Sequence, residues 1–121
     1  TGYRRNYIIQ ELELNKIPYT YFEKINISSL NDLYNILDLY IVSSRTEGGP
    51  QSIVEAAITK TPIISTDVGI ANQILHKDSI FDMNNFMYAQ PDTEFAFNTA
   101  QKFVIPLYFQ NFLNIFKGLI D

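Results

Sequence analysis

The sequence predicts an α/β fold in which helices pack on a doubly wound parallel sheet. Short apolar runs, such as Tyr40-Ile41-Val42 and Ile63-Ile64, alternate with longer segments whose apolar residues recur at helical spacing. Strands of a parallel sheet are covered by helices, and they are therefore continuous apolar runs, as these two are. Three successive steps of this kind predict one open α/β sheet.

The first 37 residues predict a helix, a strand and a second helix. In the segment 2–16 the apolar residues recur mostly at helical spacing, and Pro18 stops that helix. The apolar segment 19–25 then predicts a strand. Ser28-Ser29 predicts the cap of the second helix, because serine hydroxyls accept hydrogen bonds from the first free amides of a helix.

The middle of the chain predicts two strands, each followed by a helix. We expect a strand over 39–43, buried on both faces, and a helix over 50–59 that Pro50 starts after two glycines. A strand over 62–66 and a short helix near 70–76 follow. Further elements are predicted downstream: the short strand Ile80-Phe81, a helix over 93–103, and a last helix over 108–120 after Pro106.

The composition is typical of one globular domain in water. With 121 residues, 46% of them hydrophobic, the chain can bury a core. It has no cysteine and one histidine, so we expect no disulfide and no metal site. A net charge of −4 argues against a nucleic-acid surface. No apolar stretch reaches about 18 residues and no leader is present, so we expect a cytoplasmic protein.

The candidate ligand site lies in the segment Glu47-Gly48-Gly49-Pro50-Gln51-Ser52-Ile53-Val54-Glu55. Its glycines allow a tight turn and let a ligand approach bare backbone. The free amides and the positive dipole end of the following helix would face a phosphate. Glu47, in the loop, and Glu55, about one and a half turns into the helix, can each accept hydrogen bonds from sugar hydroxyls. The segment therefore predicts a site for an anionic, hydroxyl-rich ligand.

Two glutamates at this spacing, with Glu-Gly-x-Pro in front and Glu-Ala behind, resemble the donor-site motif of retaining GT-B glycosyltransferases of group 1, the GT4 family. The run 38–44 resembles the family's "A-D-v-f-v-x-P-S", and the run 61–69 resembles "G-x-P-V-I-x-t-D-v-G-G". Residues 30–76 match in register, and the rest of the chain matches weakly. The resemblance implies the C-terminal, nucleotide-sugar-binding domain of such an enzyme, with a Rossmann-like sheet.

The resemblance also implies roles for the motif residues. Glu47 would contact the donor sugar at the reacting centre, and Glu55 would hold the ribose hydroxyls. The sugar and the diphosphate would lie along the residues between them, which are Gly48, Gly49, Pro50, Gln51 and Ser52. Members of the family act in polysaccharide biosynthesis. They move a sugar from a nucleotide-diphosphate sugar to an acceptor hydroxyl with retention, and they need neither a cofactor nor an obligatory metal.

A larger protein is implied as well. In the family the donor domain opens with two strands and a helix that have no counterpart in this sequence, and the Arg and Lys that clamp the diphosphate lie there. We therefore expect residues 1–121 to be part of a donor domain that is inactive alone. The acceptor, a glycan or a lipid-linked glycan, would bind an N-terminal domain outside this chain. A sheet that lacks strands exposes an edge, through which the chain could self-associate.

Other interpretations stay open. A sugar-nucleotide epimerase or a phosphorylase shares the GT-B architecture, and a non-catalytic nucleotide-binding or interaction module also fits a partial domain. Arg45 is either a cation beside the phosphate or a solvated loop residue. Lys60 is expected to complement the helix dipole, Asp67 to cap a helix, and His76 to lie on the surface.

Overall fold

The computed structural model describes residues 5–49, 51–105 and 107–118. By its internal contacts the chain forms two compact units, Thr1–Leu30 and Asn31–Asp121. The first unit holds helix α1, Asn6–Leu14, and the start of helix α2, Ile27–Ile36. The strands that the structure describes all belong to the second unit.

Helix α1 is shorter than the predicted segment 2–16, whose first residues lie outside the described part of the chain. It ends before Pro18 is reached. The Ile17 amide donates to the Leu12 carbonyl at 2.8 Å, and Lys16 has a left-handed φ of 55°. These two features form a Schellman closure, which satisfies carbonyls of the last turn. The left-handed turn, and not the proline, therefore ends the helix.

The predicted strand over 19–25 is wrong. These residues are irregular, and no described strand pairs with them. Tyr19, Tyr21 and Phe22 are between 43% and 49% exposed. The Tyr19 hydroxyl donates to the Glu13 carboxylate at 3.0 Å, which folds this segment back on α1. An apolar run becomes a strand only where a neighbouring strand and a packed face are present, and this segment has neither.

The cap of α2 also differs from the prediction. The Ser29 amide donates to the Asn26 side-chain oxygen at 2.8 Å, so Asn26 is the capping residue. Ser28 and Ser29 lie inside the first turn. Asparagine caps helices as well as serine does, and Asn26, which precedes the two serines, forms the cap.

The second unit contains a parallel three-stranded sheet in the order β1, Tyr40–Val42; β2, Ile63–Thr66; and β3, Ile80–Phe81. Tyr40 pairs with Ile63 and Ser65 pairs with Ile80. This sheet confirms the predicted strands near 39–43, 62–66 and 80–81. The third strand of the described sheet is β3, and the segment 19–25 is not part of that sheet.

Helices connect and cover the strands. Between β1 and β2 runs α3, Gln51–Ile58, and between β2 and β3 runs the short α4, Ala71–Ile74. After β3 in the chain, α5, Thr93–Ala100, packs on α3 and α4. A 3-10 turn and a last helix, α6, Leu107–Gly118, follow. The core is formed by the buried residues Ile53, Ala56, Ala57, Ile63, Ile74, Ala96 and Ala100. The protein thus has a Rossmann-like α/β fold, as predicted. Pro50 and Pro106, which the sequence analysis places before α3 and α6, lie outside the described residues.

Strand β1 is not buried on both faces, as the sequence predicted. Val42 is 7% exposed, whereas Ile41, which points to the opposite face, is 54% exposed. Its register partner on β2, Ile64, is 8% exposed. β1 is the edge of the described sheet and has a neighbouring strand on one side only, which accounts for the exposure of Ile41.

Candidate functional site

The carboxyl ends of β1 and β2 form one rim of the parallel sheet. β1 leads into residues 43–49, and β2 leads into residues 67–70. The Thr66 hydroxyl, at the end of β2, donates to the Ser44 carbonyl oxygen at 2.6 Å. This bond ties the two segments together. It places Glu47, three residues beyond Ser44, in the loop at this rim.

Glu47 is an exposed carboxylate with one oxygen held by the protein. Its Oε1 accepts a hydrogen bond from the Ser44 hydroxyl at 2.7 Å. Hydrogen bonds to a charged acceptor are short and strong, so this bond orients the side chain within the loop. Within the described part of the chain, Oε2 of Glu47 has no hydrogen-bond donor. The carboxylate therefore keeps an acceptor for a ligand hydroxyl.

Gly48 and Gly49 are not required by the fold. Neither has a left-handed φ, and within the described part of the chain a Cβ added to either would meet no heavy atom within 4 Å other than those of its chain neighbours. The turn that the sequence attributes to them therefore does not need glycine. Gly69, at the same rim, differs because its φ is 54°, which favours glycine. What the first two glycines provide is open space in front of bare backbone.

Helix α3 begins directly beyond this open loop. Its first residue, Gln51, is exposed and Ser52 is half-buried, while Pro50 lies outside the described residues. The Ser52 hydroxyl makes no hydrogen bond among the described atoms. The first amides of a helix have no acceptor within it, and the positive end of the helix dipole favours an anion.

Glu55 lies one helical turn beyond Gln51 and has a protein partner of its own. Its Oε2 accepts a hydrogen bond from the Tyr34 hydroxyl at 3.2 Å. Tyr34 is 5% exposed, and its ring packs edge-on against Tyr40 with 5.6 Å between ring centroids. Burial raises the pKa of Tyr34 above its ordinary value, and Tyr40 and Glu55 raise it further. The phenol therefore stays protonated and remains a donor to the carboxylate.

Tyr34 is the residue of this region that the sequence analysis missed. It is the buried residue of the second predicted helix, α2, and the polar end of its side chain carries the role. The usable signal is its residue type, because a tyrosine on a buried face needs a hydrogen-bond partner for its hydroxyl. The partner is 21 residues away in the chain and is brought close only by the fold.

The cations near the motif separate into two groups. Arg45, in the rim loop, is exposed and has no ion-pair partner among the described residues. Lys60 lies at the opposite end of α3, where its ammonium group is 2.9 Å from a Glu94 carboxylate oxygen and 4.5 Å from the Phe97 ring centroid. Lys60 is thus held against α5. The sequence predicted an interaction with the helix dipole and did not predict this contact.

One further expectation changes. The short helix α4 begins after Ile70 without a side-chain cap, so Asp67 does not cap it and stays exposed at the rim. The side chain of His76 is 33% exposed, in line with the expected surface position, and it has partners within the protein. Its Nδ1 accepts from the Asp78 amide at 3.4 Å, and its ring packs edge-on against Phe95, with centroids 5.3 Å apart.

A depression of about 370 Å³ lies beside β3 and includes none of the motif residues. It is lined by Lys77, Asp78, Ile80, Asn85, Tyr88, Ala89 and Gln90. No buried side-chain polar atom of the described residues lacks a hydrogen bond, so the depression has no unsatisfied group that points to a ligand. The motif residues lie at the open rim and not in this depression.

Comparison with known families assigns the chain. A family model described as "Glycosyl transferases group 1" matches residues 2–105, which include the whole sheet and the rim. The chain belongs to this family. This membership confirms the group 1 glycosyltransferase resemblance and supports a role in glycosyl transfer.

The other two comparisons found nothing. No curated protein and no solved structure matches this glycosyltransferase chain. Among the described residues, every helix is too short or too polar to cross a bilayer.

Proposed function

We propose that this domain binds the nucleotide-sugar donor of a retaining, GT4-type glycosyltransferase. Family membership supports the reaction class, and the rim at the carboxyl ends of β1 and β2 is where α/β sheets of this kind bind ligands. The observation that carries the proposal is the open backbone of Gly48 and Gly49: among the described residues, no heavy atom other than those of the chain neighbours lies within 4 Å of either Cβ position. Glycines that the fold does not need are explained by a ligand that approaches them.

The diphosphate lies against the glycines and the start of α3. Its negative charge is stabilised by the amides of Gly48, Gly49, Gln51 and Ser52 and by the positive end of the helix. Arg45 is the cation nearest in sequence. The site is proposed to bind the diphosphate without an obligatory metal.

Glu47 faces the donor sugar. Its free oxygen accepts a sugar hydroxyl, and its charge favours the positive charge that develops at the anomeric carbon as the bond to the diphosphate breaks. The amides stabilise the negative charge that collects on the leaving diphosphate. Both effects are stronger in the transition state than in the bound donor, which is the requirement for catalysis.

Glu55 faces the ribose. One of its oxygens accepts from Tyr34, and the other is free among the described residues to accept a ribose hydroxyl. A glycan or lipid-linked acceptor binds a domain that is not part of this sequence, so the 121-residue chain alone binds nucleotide without transferring sugar. The exposed edge at Ile41 supports the further proposal of self-association through β1.

A titration separates this proposal from a simple nucleotide-binding module. We expect UDP, GDP or ADP to bind in a calorimetric titration, and the matching nucleotide sugar to bind more tightly. Glu47→Gln should remove the added affinity for the sugar and leave the affinity for the nucleoside diphosphate unchanged. An equal effect of Glu47→Gln on both ligands favours the module, and the absence of any nucleotide binding contradicts the proposal.

A further inference from the structure

Glu55 needs a fixed orientation if it is to accept a ribose hydroxyl. It lies on an exposed part of α3, where a glutamate side chain has several rotamers of similar energy. Its Oε2 is held at 3.2 Å by the Tyr34 hydroxyl. That bond leaves Oε1 as the acceptor for a ligand.

Tyr34 is itself held on three sides. Its side chain is 5% exposed, and its ring packs edge-on on Tyr40 of β1 at an interplanar angle of 88°. Its carbonyl oxygen accepts from the Thr61 hydroxyl at 2.8 Å, at the start of the segment that enters β2. The phenol is therefore a rigid donor that is fixed by α2, β1 and the segment after α3.

We propose that Tyr34 is a positioning residue that orients Glu55 for recognition of the nucleotide ribose. This inference rests on the proposed function and adds a residue outside the nine-residue motif. Tyr34 does not touch the ligand. It acts by holding one carboxylate oxygen, so that the other is directed to the ribose instead of exchanging among rotamers.

The burial of Tyr34 makes this donor permanent at ordinary pH. Desolvation raises the pKa of the phenol, and the negative charge of Glu55 raises it further. Because the phenol stays protonated, its hydrogen remains available to the Glu55 carboxylate.

Ribose selectivity tests the inference. Each protein is titrated with a ribonucleoside diphosphate and with its 2′,3′-dideoxy analogue, and the ratio of the two affinities is compared. Tyr34→Phe should weaken the ribonucleotide by about two- to tenfold, the factor that one hydrogen bond provides. It should leave the dideoxy analogue unchanged, because that ligand has no hydroxyl for Glu55.

Ser79→Ala is the matched control for lost stability. Ser79 is 1% exposed, and its hydroxyl donates to the Gln90 carbonyl at 2.8 Å and accepts from the Asp92 amide at 3.1 Å. Its removal deletes a buried hydroxyl away from the rim, and it should not change the ribose selectivity. A change of selectivity in this variant would assign the effect to general destabilisation and overturn the inference.

The remaining outcomes each decide the matter. Unchanged selectivity in Tyr34→Phe, or an equal loss for both ligands, overturns the positioning role and leaves the proposed function intact. No nucleotide binding by the wild-type chain overturns the proposed function, and the inference with it. If Tyr34→Phe does not fold, the tyrosine ring signals of the wild-type protein give the answer. Those of Tyr34 should shift with the ribonucleotide and not with the dideoxy analogue, and equal shifts overturn the inference.

Discussion

Replacing the two rim glycines separates a ligand-binding role from a structural one. Apart from the atoms of its chain neighbours, an added Cβ at Gly48 or Gly49 has no heavy atom of the described residues within 4 Å, and neither glycine has a left-handed φ. Alanine at such positions leaves stability unchanged or raises it by about 0.4–1 kcal/mol, because the unfolded chain loses conformational freedom. In the proposed complex the same methyl group occupies the space of the diphosphate. Loss of one amide hydrogen bond to a charged oxygen costs about 1.5–3 kcal/mol, or about 10- to 150-fold in affinity.

The assay pairs urea unfolding with calorimetric titration of a nucleoside diphosphate. Gly118→Ala is the matched control, since its added Cβ also meets nothing within 4 Å and it lies in α6, away from the rim loop in sequence. Gly118→Ala should leave the affinity for the nucleoside diphosphate unchanged and should not lower the free energy of unfolding. Gly69→Ala should lower stability by about 1–2 kcal/mol, because its φ is 54°. Full nucleotide affinity in Gly48→Ala and Gly49→Ala would refute the reasoning, since the open space would then have no ligand.

Four further predictions concern the glutamates and their partners. Glu55→Gln should weaken nucleotide binding by about 5- to 150-fold at unchanged stability, since the amide oxygen still accepts from Tyr34 and only the charge is lost. Glu55→Ala should in addition lower the urea unfolding free energy by about 1–3 kcal/mol, because the buried Tyr34 hydroxyl loses its acceptor; equal stability of the two variants contradicts this bond. Ser44→Ala should weaken binding of the nucleotide sugar and not of the nucleotide, because it releases Oε1 of Glu47; a loss for both ligands points to a general disturbance of the loop. Finally, the raised pKa of Tyr34 means that its stabilising effect is complete below the ordinary value of 10.0 and is lost as pH rises above it. The fall in unfolding free energy above pH 10 should therefore be smaller in Tyr34→Phe than in wild type. If the unfolding free energies of the two proteins depend on pH in the same way, ionisation of Tyr34 is not the cause of the fall.

The part of the fold predicted correctly from sequence depends on local signals. β1 and β2 are short apolar runs, and each is followed by a turn and an amphipathic segment within about ten residues. The segment 19–25 has a similar apolar pattern and is not a strand, because strand formation depends on a neighbour that the local sequence does not specify. The caps show the same limit: Asn26 and Ser28 both satisfy the local rule, and only the start of the helix distinguishes them.

The candidate site divides in the same way. Glu47 was placed at the rim because it follows a strand, which is a local property. The Tyr34–Glu55 hydrogen bond spans 21 residues and depends on how α2 packs beside α3, so no local pattern contains it. Asp67 was expected to cap α4 because it precedes a helix, but the turn at Gly69 moves the helix start to Ala71.

Chemical-shift mapping of a nucleoside diphosphate on the backbone amides tests the central claim most directly. The donor-site account predicts the largest shifts at Gly48, Gly49, Gln51 and Ser52, with none at the depression beside β3. Shifts centred on residues 77–90, or no shifts at a saturating concentration of UDP, GDP and ADP, would contradict it.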